Sequence, residues 1–90
     1  MYRKTAVICN ETGLHARPAS DFVRAANRFI CDISIRNVTL DGQRTNGKSI
    51  ILVLAQGISM GCTVEICAEG IDEIQAVDFL IALINSGFKP

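Results

Sequence analysis

Polar and apolar positions alternate along several stretches of the chain and recur at helical spacing along two others. Alternation is typical of strands that bury one face, and a repeat of three to four residues is typical of amphipathic helices. The first helix has an apolar face that includes Phe22 and Val23, and the last has one that includes Val77 and Ile81. The pattern predicts strands over residues 5–10, 31–40, 43–46 and 63–68, a helix over 16–28, and a last helix from Asp72 to Asn85.

Between Ser49 and Gln56 every residue is apolar, so periodicity alone cannot assign this run to a short helix or to a strand. Ser49 is a suitable helix N-cap, and Gly57 is a suitable C-terminal stop. The residues alone leave both alternatives open.

Turn and cap signals complete the order of elements. Asp41-Gly42 indicates a hairpin turn, Asp72 with Gln75 resembles a capping box, and Gly87 is placed to end the last helix. With a helix at 49–56, the order is βαββαβα. This order is typical of an α+β fold in which helices cover one face of an antiparallel sheet. We expect one domain over residues 1–90.

Composition narrows the classes of function. The chain has 90 residues, 49% of them hydrophobic and 20% charged, which is typical of a globular protein. Nine basic and nine acidic residues balance, which argues against direct nucleic-acid binding. No apolar run approaches the roughly 20 residues needed for membrane insertion. The N-terminus lacks the pattern of a signal peptide, so we expect a cytoplasmic protein.

Four cysteines, at positions 9, 31, 62 and 67, have no Cys-x-x-Cys spacing, and the chain has a single histidine. Neither a metal site nor a cofactor is therefore expected. The cysteines are expected to be reduced thiols that are buried or half-buried.

The single histidine stands in a distinctive local sequence, Gly13-Leu14-His15-Ala16-Arg17-Pro18-Ala19. Gly13 can take a positive φ, and Pro18 suits the first turn of a helix, so His15 is predicted at or near the N-cap. The backbone N–H groups of Ala16 and Arg17 would then be free to bind an anion, and the guanidinium of Arg17 could grip phosphate oxygens. A neutral imidazole at this place is a candidate nucleophile.

These residues resemble the signature of the histidine-containing phosphocarrier (HPr) family of the bacterial sugar phosphotransferase system. The resemblance rests on GLHARPA at 13–19, NGKSII at 46–51 and AEGIDE at 68–73, with Gly57-Ile58 at the expected distance. It implies an open-faced β-sandwich of four strands and three helices, with a short helix at 49–56.

The resemblance also implies a function and a site. His15 would accept a phosphoryl group from phospho-enzyme I and pass it to sugar-specific IIA domains, with Arg17 stabilising the phosphate. Ser49 would be a regulatory site for HPr kinase/phosphorylase, and a catabolite-control transcription factor would be a further partner. No cofactor is implied.

Partner binding would involve Leu14, Ile50, Ile51 and Leu54, although helical spacing could instead bury Ile50 and Leu54 in the core. Leu52 stands where relatives often carry glycine or a polar residue. It makes the short helix apolar nearly all round, which would allow altered partner affinity or weak self-association.

Two other functions remain open. The chain could be a regulatory binding module that acts by docking, or a carrier in the nitrogen-linked branch of the same phosphorelay. The presence of His15 counts against an exclusively regulatory role.

Overall fold

The computed structural model describes residues 1–89. In chain order the elements are β1 (Tyr2–Val7), α1 (Ala16–Ala26), β2 (Asp32–Asn37), β3 (Thr45–Asn46), α2 (Ile50–Ala55), β4 (Thr63–Glu69) and α3 (Glu73–Asn85). The four strands form one antiparallel sheet in the order β1-β4-β2-β3. Three helices cover one face of this sheet, which confirms the predicted open-faced β-sandwich with βαββαβα order.

The core lies between the sheet and the helices because the central strands β2 and β4 direct isoleucine and valine side chains toward them. Ile35 and Ile66 face each other across the strand pair, and both are fully buried. Phe22 of α1 is also fully buried and belongs to the same cluster as Leu80 of α3. This packing fixes α1 over the sheet.

The ambiguous run at 49–56 is a helix. The hydroxyl of Ser49 accepts a hydrogen bond from the N–H of Leu52 at 3.3 Å, as an N-cap does. Gly57 ends the helix with a φ of +63°, which favours glycine. Val53 is the residue of α2 that the core fully buries.

The predicted bounds of β1 and α1 were too far toward the C-terminus. β1 pairs with β4 from Tyr2 to Val7, because the hydroxyl of Tyr2 and the ammonium of Lys4 both donate to Asp78 of α3 and anchor the start of the chain. α1 ends at Ala26, because Arg28 and Phe29 donate their N–H groups three residues back in tighter turns.

The hairpin between β2 and β3 is wider than the sequence predicted. β2 ends at Asn37, where the N–H of Gly42 bonds to the Asn37 carbonyl at 2.8 Å, so residues 38–41 form a loop. Asp41 has a φ of +53° within this loop. The return strand β3 is reduced to Thr45–Asn46.

Asp72 is the N-cap of α3, but the predicted capping box with Gln75 is wrong. The Asp72 carboxylate accepts the N–H groups of Ile30 and Cys31, both at 2.9 Å, and makes no bond to its own helix. Those two bonds lower the pKa of Asp72 below its ordinary value, with the Ile30 N–H as the largest cause. The residue therefore joins α3 to the start of β2.

The other end of α3 follows the prediction. Gly87 has a φ of +70°, and the N–H groups of Gly87 and Phe88 bond to the carbonyls of Ile84 and Leu83. This is a Schellman motif, which satisfies the last carbonyls of the helix.

The cysteines are free thiols, and Cys31, Cys62 and Cys67 are buried as expected. Cys9 is exposed, so its predicted burial was wrong. It follows β1 at the surface and faces the carbonyls at the end of α3.

Candidate functional site

His15 is the N-cap residue of α1, and its side chain is exposed. Its backbone is extended, with φ −128° and ψ 164°, and its imidazole makes no capping hydrogen bond to the helix. The ring therefore stands at the helix N-terminus without being used to hold it. This is the position that the sequence predicted.

The residue that follows has a strained backbone. Ala16 has a φ of +50°, in the left-handed region, which costs a residue with a side chain about 1–2 kcal/mol. Ala16 and Arg17 belong to the first turn, where N–H groups have no carbonyl acceptor within the helix. With the positive end of the helix dipole, these donors can bind an anion carried on the ring of His15.

The loop before His15 is held against the chain that follows α2. The N–H of Leu14 donates to the carbonyl of Ile58 at 3.0 Å. Gly13 has a φ of +64°, and a Cβ there would lie 2.5 Å from the Ile58 oxygen and 2.7 Å from Ser59 Cα. Glycine is required at position 13 for both reasons, since no other residue allows this approach.

The predicted role of Leu14 in partner binding is wrong. Its side chain is fully buried and belongs to the hydrophobic core. Leu14 therefore anchors the loop that carries His15, and it cannot contact a partner directly.

α1 and α2 run in opposite directions beside each other. The Leu14–Ile58 bond joins the start of α1 to the end of α2, and the side chain of Asn27 donates to the Lys48 carbonyl at the other end. Because α1 has 11 residues, Ser49 lies roughly 15 Å from His15. The two predicted phosphorylation sites are thus at opposite ends of one helix pair.

α2 exposes an apolar surface next to the His15 loop. Ile51 is 74% exposed, and Ile50, Leu52 and Leu54 are each about 40% exposed. The core interpretation of Ile50 and Leu54 was wrong, because Val53 takes the buried position of the helix. An exposed cluster of this kind is typical of an interaction site.

Arg17 lies on the exposed side of α1, with its side chain 90% exposed and its Nε 3.9 Å from Asp21 Oδ2. Ion pairs at the surface contribute little, so the guanidinium can leave Asp21 for a stronger anion. Arg17 also lines a groove of about 560 Å³ between α1 and the end of α3, together with Arg24 and Arg28.

No function was predicted for this row of arginines from the sequence. Arg24 and Arg28 follow Arg17 at seven and eleven residues, which is the spacing of one helix face. That spacing was the signal in the sequence from which the row could have been predicted. The row places positive charge along the groove between α1 and α3, where Asp21 lies within ion-pair distance of Arg17 and Arg24.

Asn37 and Gln56 were also missed. The side chain of Gln56 donates to the Gln43 carbonyl at 2.7 Å and to the Thr45 hydroxyl at 2.9 Å, and it accepts the N–H of Asn37 at 3.2 Å. Asn37 is fully buried and donates its side-chain amide to the Gln56 carbonyl. These bonds fix the end of α2 to the β2–β3 hairpin and so position the exposed apolar side chains. No signal in the sequence marked either residue.

The structure thus places an exposed imidazole at a helix N-terminus, next to an exposed apolar helix, on an open-faced sandwich. This arrangement agrees with the resemblance to the small phosphocarrier proteins. The family model described as "PTS HPr component phosphorylation site" matches residues 2–86. The chain belongs to the HPr family.

Named relatives and solved structures agree with this assignment. The chain is 42% identical over 85 residues to the HPr-like protein Crh of Halalkalibacterium halodurans, covering 94% of this chain and 98% of that protein. It is 40% identical over 85 residues to phosphocarrier protein HPr of Vibrio cholerae, covering 94% and 96%. The crystal structure of HPr-C-His from Thermoanaerobacter tengcongensis superposes with a TM-score of 0.92 at 42% identity, covering 98% and 96% of the two chains.

No helix within residues 1–89 is long and apolar enough to cross a membrane.

Proposed function

We propose that this chain accepts a phosphoryl group on His15 from phospho-enzyme I and passes it to sugar-specific IIA domains. The observation that carries the proposal is the exposed imidazole at the N-cap of α1, which makes no bond to its own helix. Membership of a phosphocarrier family supports the same role. We also propose that the protein works in the cytoplasm, where its phosphoryl donor would be.

The chemistry needs only the neutral imidazole and the donors beside it. The unprotonated ring nitrogen attacks phosphorus, and an N–P bond forms as the bond to the donor group breaks. The N–H groups of Ala16 and Arg17 bind the phosphoryl oxygens, and the Arg17 guanidinium moves from Asp21 to add a charged donor. Transfer to the acceptor reverses these steps and restores the free ring.

Docking would use two neighbouring surfaces. Ile51 and Leu54 of α2 offer exposed apolar side chains, and Arg24 of α1 and Arg28 just after it offer positive charge around the groove between α1 and α3. A partner with an apolar centre and an acidic rim would match both. Because Leu14 holds the His15 loop to Ile58, docking on α2 would bring the partner's reactive group beside the ring.

The first test is phosphorylation by phosphoenolpyruvate and enzyme I, read by intact mass and acid lability. The unmodified chain should gain one acid-labile phosphate, and His15→Ala should stay folded and gain none. Arg17→Ala should slow acceptance by about tenfold or more, because one charge-assisted hydrogen bond is lost. Arg3→Ala is the matched control, since Arg3 is an exposed arginine of β1.

Two outcomes would contradict the proposal. One is acid-labile phosphate on His15→Ala, which would move the acceptor to another residue. The other is an unmodified chain that gains no phosphate while a known carrier does so in the same reaction.

The carrier of the nitrogen-linked branch is the alternative within the same class. Parallel reactions with the enzyme I of each branch separate the two. Faster acceptance from the nitrogen-branch enzyme would favour that alternative.

A regulatory role at Ser49 is the second candidate, favoured by the place of this residue at the start of the exposed helix α2. A phosphate there would lie at a helix N-terminus and add about two negative charges beside the apolar surface. The partners would be HPr kinase/phosphorylase and a catabolite-control transcription factor. Acid-stable phosphate from this kinase and ATP should disappear in Ser49→Ala and persist in Ser20→Ala. If acid-stable phosphate persisted in Ser49→Ala, Ser49 would be excluded as the phosphorylated residue.

A further inference from the structure

Asp21 is the carboxylate that faces the arginines of α1. Its Oδ2 lies 3.9 Å from Nε of Arg17, and its Oδ1 lies 3.7 Å from Nη1 of Arg24. Among the described residues that line the groove between α1 and α3, Asp21 is the single acidic residue beside four basic ones. Within residues 1–89 it is also the only carboxylate within ion-pair distance of Arg17. Each of its two oxygens thus faces a different arginine.

The ion pair between Arg17 and Asp21 is weak. At 3.9 Å the two groups are farther apart than the about 2.7–2.9 Å of a charge-assisted hydrogen bond. An acid four residues before a base is the more favourable order on a helix, and here the arginine comes first. The side chain of Arg17 is 90% exposed, whereas that of Asp21 is 26% exposed. The guanidinium is therefore the group that can leave, while the carboxylate stays on α1.

A phosphoryl group on His15 would compete with Asp21 for Arg17. Its oxygens carry more negative charge than a carboxylate and can accept two parallel hydrogen bonds from a guanidinium. Arg17 would leave Asp21 when it binds these oxygens. The free energy of the ion pair is then subtracted from what Arg17 contributes to the phosphorylated form, because only the free form contains that pair.

We propose that Asp21 is a positioning residue that acts through Arg17 and weakens the hold of the carrier on its phosphoryl group. The inference rests on the proposed transfer at His15. A carrier must give up the group that it accepts, so an interaction that holds the phosphorylated form too tightly opposes donation. Asp21 limits this hold by offering Arg17 a second anion. Arg24 remains beside the other carboxylate oxygen when Arg17 leaves.

Phosphoryl exchange between the unmodified chain and Asp21→Asn measures the effect directly. The unmodified chain, labelled with heavy nitrogen, and unlabelled Asp21→Asn are mixed in equal amounts with a trace of enzyme I and a limiting amount of phosphoenolpyruvate. The N–P bond of one chain breaks as a bond to the acceptor of enzyme I forms, and enzyme I then passes the group to the other chain. Intact mass gives the phosphorylated share of each chain at equilibrium.

The ratio of phosphorylated to free chain should be about two- to fivefold higher for Asp21→Asn, which is the effect expected of one exposed ion pair. Added salt should reduce the difference, because it screens the pair. Asp78→Asn is the matched control. Its carboxylate also accepts from two side chains, but these are the hydroxyl of Tyr2 and the ammonium of Lys4 in β1. Its ratio should equal that of the unmodified chain.

Arg17→Ala separates the action of Asp21 through Arg17 from direct repulsion between its charge and the phosphoryl group. The same exchange compares Arg17→Ala with the double variant Arg17→Ala/Asp21→Asn. The difference between these two chains should largely disappear, because no guanidinium is left to compete for. A merely structural role of Asp21 would not depend on Arg17 in this way. Circular dichroism should show every variant to be folded.

Two results would overturn this proposal alone. Equal ratios for the unmodified chain and Asp21→Asn would mean that the ion pair has no effect on the hold on the phosphoryl group. A difference of the same size with and without Arg17 would assign the effect to direct charge repulsion. In both cases the unmodified chain still carries acid-labile phosphate, so the proposed function is unaffected. A chain that accepts no phosphate would refute that function and this inference with it.

Discussion

Alanine at Gly13 tests how the loop before His15 is held, and alanine at Gly57 is its matched control. The two glycines have almost the same φ, +64° and +63°. A Cβ at Gly13 would lie 2.5 Å from the Ile58 oxygen, whereas a Cβ at Gly57 would meet nothing within 4 Å. The pair therefore separates the cost of the backbone conformation from the cost of the clash.

The magnitudes follow from these contacts. A positive φ costs alanine about 1–2 kcal/mol, and the lower entropy of the unfolded chain offsets part of it, so Gly57→Ala should lose about 1 kcal/mol. Gly13→Ala should lose at least about 3 kcal/mol, since the loop must move, the Leu14–Ile58 hydrogen bond breaks and the buried Leu14 shifts. Melting temperatures should fall by about 4–8 °C for Gly57→Ala and by about 12 °C or more for Gly13→Ala.

Urea unfolding followed by circular dichroism measures both variants against the unmodified chain, with equal m-values as the check on two-state behaviour. A difference between the two variants below about 0.5 kcal/mol, which is close to the error of such measurements, would refute the reasoning. It would mean that the Ile58–Ser59 backbone gives way without cost, and that the loop carrying His15 is not fixed by α2.

Two further predictions concern ionisable groups. The Ile30 and Cys31 N–H groups lower the pKa of Asp72, so the stability it contributes is present above its unfolded pKa of about 3.9 and is lost as pH falls toward the lower folded value. When urea unfolding is measured below pH 5, the free energy of unfolding should therefore fall less steeply with decreasing pH in Asp72→Asn than in Asp32→Asn. Equal slopes would count against the two hydrogen bonds to Asp72. Burial is the main cause that raises the pKa of Cys31 to about 11, whereas Cys9 is exposed. At pH 8 a thiol reagent should modify Cys9 in the native chain and leave Cys31 until unfolding, and rapid loss of both thiols would contradict this order.

Local sequence determined much of the candidate site. Gly13, His15 and Pro18 place a turn, a cap and a first helical turn in succession, and each acts through its own backbone preferences. The N-cap position of His15 was therefore predictable without any distant contact. The same holds for the stop at Gly87, because a Schellman motif involves only neighbouring residues.

Strand order and the ends of the elements depended on contacts between distant residues. Asp72 has the local sequence of a capping residue, yet its carboxylate binds Ile30 and Cys31, which no spacing along the chain reveals. Similarly, the ends of β1 and of the β2–β3 hairpin are set by Asp78 and by Gln56, each far along the chain from its partners.

The difference between what local sequence and what tertiary contacts determine is clearest in and around α2. Its sequence fits a helix or a strand. Even as a helix it offers six apolar residues, of which the core buries only one fully. Only the packing of Val53 against the core, with the end of the helix tied by Gln56 to Asn37, decides which side chains remain exposed. The sequence by itself determined that His15 caps a helix, because capping is a local property of the backbone. The tertiary structure alone decided what lies beside that histidine, because burial depends on which distant surfaces meet.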